Sequence, residues 1–114
     1  MKEFMLIFLG PSYDELGLSP EELQGRMGKW FAWGDKMKAQ GIYRGGAALH
    51  TPGKRITGVD RVESDGPFVE SKELIGGYYT VAVDSFEAAA IVAQDYPDYD
   101  LEGTVEIREV VNFG

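Results

Sequence analysis

Phe4-Met5-Leu6-Ile7-Phe8-Leu9 is an unbroken apolar run, stopped by Gly10-Pro11. A short run of this kind, closed by a turn signal, reads as a strand buried on both faces. Pro11 to Leu18 reads as a loop. Ser19-Pro20-Glu21-Glu22 then opens a helix: Ser19 can cap it, Pro20 suits its first position and Glu22 can close a capping box. Leu23, Met27, Trp30, Phe31 and Met37 recur at helical spacing, and Gly41 is the expected stop. Gly25, Gly28 and Gly34 each weaken that helix by roughly 1 kcal/mol relative to alanine, unless they mark close packing.

Farther from the opening strand, Ile42 to Leu49 reads as a second strand, kept small by Gly45, Gly46, Ala47 and Ala48. Thr51-Pro52-Gly53-Lys54 is a turn. Arg55 to Glu63 reads as an exposed hairpin arm with a break, and Ser64-Asp65-Gly66-Pro67 as a second turn. Leu74 to Val83 is a strand, with Tyr79, Val81 and Val83 on one face and Tyr78, Thr80 and Ala82 on the other. Asp84 and Glu87 read as a capping box for a second helix with Phe86, Ala89, Ala90 and Ala93 on its apolar face. Tyr96-Pro97-Asp98 ends that helix, and Thr104 to Val111 is the last strand.

This order is a split βαβ unit used twice, which makes an α+β, ferredoxin-like βαββαβ fold with a hairpin insertion. Two right-handed crossovers place both helices on one face of an antiparallel sheet. The opposite face then lacks cover, although Phe4 to Leu9 offers no polar residue to water. Exposed apolar surface costs roughly 25 cal/mol per Å², so a homodimer packed sheet to sheet is expected. The competing expectation is that the hairpin folds over that face.

Composition removes several function classes. The chain of 114 residues fits one domain over 1–114, and 44% hydrophobic content is ordinary for a globular protein. Eleven Lys and Arg against 19 Asp and Glu give a net charge of −8. No nucleic-acid binding is expected from such a balance, and no attraction to an anionic membrane surface. With no cysteine there is no disulfide and no thiolate chemistry, which suits a cytoplasmic address. The first apolar run is too short for a signal peptide, and no stretch approaches the roughly 20 apolar residues of a membrane span. Metal and phosphate-cradle motifs are missing, so no cofactor is expected.

His50 is the only histidine, hence the only side chain whose ordinary pKa lies near neutrality. It follows the small-residue strand, which leaves space beside it. Asp65 or Glu73 could orient it as a general base; otherwise it is a surface histidine before a Thr-Pro turn. Asp65-Gly66-Pro67 reads either as a plain turn or as part of a site. In an extended segment Lys72 and Glu73 face opposite ways, and Glu73 is favoured for a pocket because it abuts a buried strand. Gly76-Gly77 permits close ligand approach or marks a bulge. Tyr78 and Tyr79 read as core and interface residues with a hydroxyl available to a cavity. Trp30 and Trp33 read as packing. Arg44 and Arg108 could clamp an anion or pair with carboxylates.

Asp65-Gly66-Pro67-Phe68-Val69-Glu70-Ser71-Lys72-Glu73, followed by Leu74-Ile75-Gly76-Gly77-Tyr78-Tyr79, closely resembles the signature of the YCII-related, or DGPF-domain, family. Phe4 to Ile7, Leu18 to Glu22, Glu87-Ala88-Ala89, Pro97 and Thr104 to Arg108 extend the resemblance over nearly the whole chain. It implies a ferredoxin-like dimeric α/β barrel, with no general reaction attached to the DGPF branch. The shorter relatives carry a histidine on the first helix and an aspartate before a proline. Here the first helix has no histidine and Tyr96 precedes Pro97, so that pair has no direct counterpart. The expected catalytic residues are His50, Asp65 and Glu73, and the expected ligand-binding residues are Arg44, Phe68, Lys72, Gly76 and Tyr78. The expected partners are a second copy of the chain and a small-molecule ligand. Two functions follow: a cofactor-free enzyme or binder using proton transfer, or a non-catalytic regulatory or interaction module.

Overall fold

The computed structural model describes residues 1–66 and 71–114. Among them, β1 (Lys2–Leu9) leads to a short α1 (Tyr13–Leu16), a long α2 (Pro20–Ala39) and β2 (Tyr43–Ala48). The hairpin β3 (Gly53–Thr57) and β4 (Val62–Gly66) follows, then a 3-10 turn at Ser71–Glu73 and β5 (Ile75–Val83). The chain ends with α3 (Phe86–Ala93), a 3-10 turn at Tyr99–Leu101 and β6 (Thr104–Glu109).

The main sheet has four antiparallel strands in the order β2-β5-β1-β6. That α+β arrangement is compatible with the ferredoxin-like expectation. β1 sits inside the sheet, which explains why its sequence carries no polar interruption. Phe4 pairs with Val81, Leu6 with Tyr79 and Phe8 with Gly77, all on the helix-covered face. Phe4 and Leu6 are fully buried there, with Trp33, Met37 and Ala89 packed above. Phe8 is the hub of an aromatic cluster, with ring centroids 5.0 Å from Trp30, 5.3 Å from Tyr79 and 5.3 Å from Tyr96. On the other face Met5, Ile7 and Leu9 stay partly exposed, beside Tyr78 and Thr80. Burial of β1 on both faces is therefore not achieved within one copy.

Local sequence explains most boundaries and corrects others. The Ser19 capping box forms, with 3.1 Å bonds in both directions between Ser19 and Glu22. The Asp84–Glu87 box does not form: Ser85 is the cap, its Oγ accepting from the Ala88 N–H, so α3 starts one residue later. The loop after Pro11 contains α1, which Ser12 caps and Gly17 ends in the left-handed region. Gly25, Gly28 and Gly34 lie inside an unbroken α2 and face open space, so they mark no close packing. On the same helix Leu23, Met27 and Phe31 remain exposed, while Trp33 and Met37 carry the contact with the sheet.

The hairpin differs most from expectation. Gly53 and Lys54 begin β3, and Ser64, Asp65 and Gly66 belong to β4 rather than to a turn. The true turn spans 58–61, where Gly58 and Arg61 have φ of 81° and 52°. The hairpin makes its own two-stranded sheet and does not fold over the open face of the main one. Ile56, Val59 and Val62 on it are exposed. The radius of gyration, 15.7 Å, exceeds the roughly 13 Å usual for about 100 residues, as a projecting arm requires.

Candidate functional site

A cavity of about 540 Å³ opens at one end of the main sheet. Its walls come from the end of β1, the segment leading into α1, the Met27–Phe31 stretch of α2, the end of β2 and the start of β5. Small residues on β2 make the room. A Cβ on Gly46 would lie 2.4 Å from Cδ1 of Tyr79 and 2.5 Å from the Tyr78 carbonyl oxygen, so only glycine lets the Tyr79 ring lie there. Most of the lining is apolar or aromatic, including Phe8, Trp30, Phe31 and Tyr79. Such a lining with few polar groups is the usual character of a small-molecule site.

The polar part is a connected network. Trp30 Nε1–H donates to Tyr13 Oη at 2.8 Å, and the Tyr13 hydroxyl donates to Asp98 Oδ2 at 2.7 Å. Arg26 Nη1 approaches Asp98 Oδ1 at 3.4 Å and donates to the Pro97 carbonyl at 3.0 Å. The same guanidinium grips Asp100 with both nitrogens, at 2.6 and 2.7 Å. Asp98 is only 9% exposed, and a carboxylate so deep is costly unless paired and hydrogen-bonded. Its backbone is fixed as well, because its carbonyl accepts from the Leu101 and Gly103 N–H groups. Asp98 precedes a 3-10 turn without capping it, since its carboxylate is committed to Tyr13 and Arg26. Gly103 is needed beside it: a Cβ there would lie 2.4 Å from Tyr96 Oη.

Electrostatics hold the tyrosines and the Arg26–Asp100 pair in one protonation state at neutral pH. Burial, followed by the bond to Asp98, pushes the Tyr13 phenol far above its usual range, although the Trp30 donor pulls the other way. Burial likewise pushes Tyr96 far up, helped by the charge of Asp98. The bond from Arg26 lowers the Asp100 carboxyl and keeps Arg26 protonated. Tyr13 is thus a neutral phenol carrying a proton toward a carboxylate.

Two of the expected site residues, His50 and Gly76, line the cavity. His50 stands exposed at its edge, with no carboxylate among the described residues within hydrogen-bond reach. The other expected residues sit elsewhere. Asp65 is on the hairpin, its side chain 84% exposed and 3.5 Å from Lys54. Lys72 and Glu73 are exposed on the 3-10 turn outside the cavity wall. Arg44 donates to the Gly41 and Tyr43 carbonyls, and Arg108 reaches Glu106 at 3.5 Å, so neither forms a clamp at the cavity. Tyr78 points to the open face, opposite Ile7 and Ala47. Phe68 and Glu70 lie outside the described residues.

Tyr13, Asp98, Arg26 and Trp30 were not legible as a site, because Tyr13 and Asp98 are 85 residues apart in sequence. One signal was available: an indole N–H on a packing face must find an acceptor, and for Trp30 that acceptor is Tyr13. Among the described residues, no group of three His, Asp or Glu side chains is placed to hold a metal ion. No helix among them is long and apolar enough to cross a membrane.

Residues 5–114 match the family model for the YCII-related domain, and the chain belongs to that family. No curated protein matches the chain.

Proposed function

We propose that this protein is a cofactor-free small-molecule enzyme or binder whose site is the cavity floored by Tyr13 and Asp98. The observation that carries the reading is the Trp30–Tyr13–Asp98 chain of hydrogen bonds inside a mostly apolar cavity. Tyr13 oxygen accepts once from Trp30 and donates once to Asp98, which leaves it one lone pair. A substrate C–H or O–H proton can pass to that oxygen while the Tyr13 proton moves to Asp98 Oδ2. The substrate keeps the electron pair, the tyrosine stays neutral throughout, and Asp98 ends protonated. Reversal at another substrate atom returns the proton and completes an isomerisation or elimination. His50 stands at the edge of the cavity as a second proton carrier on the solvent side.

The reading includes a homodimer. Met5, Ile7 and Leu9 with Tyr78 and Thr80 offer a partly exposed face that a second copy would cover by two-fold sheet packing, as in a dimeric α/β barrel. Sedimentation at micromolar protein is expected to give twice the 12.6 kDa chain mass, and Ile7→Glu to return it to one. Folded particles of single-chain mass from the unaltered protein would refute the dimer. A cytoplasmic address belongs to the same reading, supported by the lack of cysteine.

The hairpin favours a second reading, an interaction module, because Ile56, Val59 and Val62 stand exposed on a projecting arm. A thermal-shift screen of small molecules separates the two, since a true ligand stabilises the folded state by mass action. Hits that Tyr13→Phe abolishes support the cavity; hits indifferent to it, or none, support the module.

A further inference from the structure

We infer that the ligand of this cavity carries a cationic head, a protonated amine or its like, on an apolar ring frame. The inference rests on the cavity being the ligand site and adds the charge it selects. Two carboxylates, Asp14 and Asp98, are in its wall, and among the described residues no lysine or arginine is. The nearest guanidinium, Arg26, is turned to Asp100 through two short bonds, so it has little left to offer an anion. Of the donors Trp30 and Tyr13, one is spent on the other and the second on Asp98. Besides the hydroxyls of Ser12 and Thr51 and the imidazole of His50 at the edge, what the wall offers a ligand is acceptor capacity: carboxylate oxygen and the Tyr13 lone pair.

The apolar wall points the same way. Trp30, Phe31 and Tyr79 line the cavity, and an aromatic face attracts a cation within about 6 Å. An anionic head would meet the carboxylates of Asp14 and Asp98, charges of its own sign. Arg44 and Arg108, the residues expected to hold an anion, are engaged away from the cavity. The chain as a whole, at −8, also draws cations and repels anions in encounter. A cationic head suits the proton-transfer chemistry as well, because positive charge acidifies the neighbouring C–H that Tyr13 and Asp98 would relieve of its proton.

Three indoles of similar shape test this: tryptamine, which is cationic, tryptophol, which is neutral, and indole-3-propionate, which is anionic. Calorimetric titration of the full chain at pH 7 should rank them in that order, with tryptamine at least about tenfold tighter than tryptophol. Raising salt from low to molar concentration should narrow the gap, as screening requires. Asp14→Asn should weaken tryptamine several-fold and leave tryptophol unchanged; Asp14 is exposed on α1, so the variant keeps its fold. Binding of tryptophol or indole-3-propionate as tight as tryptamine, and lost in Tyr13→Phe, would overturn the charge assignment while leaving the cavity as the site. Failure of all three to bind would overturn both.

Discussion

Asp98 and Asp65 are the same side chain in two environments, and the contrast between them explains where chemistry can reside. Asp98 is buried beneath a cavity, bonded by a phenol and approached by a guanidinium. Asp65 stands on a projecting hairpin, almost fully exposed, with a lysine at salt-bridge distance and water all round. Screening makes an exposed pair worth little. Burial makes a paired carboxylate expensive to disturb and keeps its hydrogen bonds aimed. A group that must take a proton from a bound molecule needs the buried environment, because geometry and solvent exclusion are what it contributes.

Substitutions along this contrast should give graded effects. The largest belongs to Asp98→Ala, which strands the Tyr13 hydroxyl and costs about 2–3 kcal/mol, since Arg26 retains Asp100. Urea unfolding should show it as a lower midpoint at unchanged slope. Tyr13→Phe removes one acceptor from Trp30 and one donor from Asp98, and should cost about 1–2 kcal/mol in the same assay. His50→Ala and Asp65→Asn should each stay within about 0.5 kcal/mol, as exposed positions do. A drop of more than 1 kcal/mol from Asp65→Asn would erase the contrast, and a silent Asp98→Ala would invert it.

The tyrosines give a pH test with a definite sign. Tyr13, Tyr96, Tyr79 and Tyr99 have folded pKa values raised by burial, so folding favours their neutral form. That contribution is complete below the unfolded value of about 10 and is lost as pH climbs from there toward the folded values. Stability should therefore fall on the alkaline side above about pH 10, and the fall should be shallower in Tyr13→Phe. Asp100 runs oppositely: its lowered carboxyl favours the folded state above about pH 4, and the benefit disappears as pH falls through the folded value. Arg26→Met should flatten that acid limb.

How much of this was legible follows from how local each feature is. The β1 run, the Ser19-Pro20-Glu21-Glu22 start and the alternation of Tyr78 to Val83 are readable because neighbours along the chain determine them. The α3 start was misplaced because Asp84 and Ser85 are both good caps, and only packing chooses between them. The break in the hairpin arm became its turn, at Gly58 to Arg61, while Ser64 to Gly66, read as a second turn, continue a strand. His50 was readable beside the cavity because small residues precede it. The Tyr13–Asp98 pair was not, because long-range contact between a loop and a helix end leaves no periodic trace.

The most direct test of the account titrates one compound, whichever raises the melting temperature of the unaltered protein most, against three proteins: unaltered, Tyr13→Phe and Asp65→Asn. The account predicts at least about tenfold weaker binding by Tyr13→Phe, roughly the worth of one good hydrogen bond, and an unchanged dissociation constant for Asp65→Asn. Weaker binding by Asp65→Asn with Tyr13→Phe unaffected would place the site on the hairpin and contradict it.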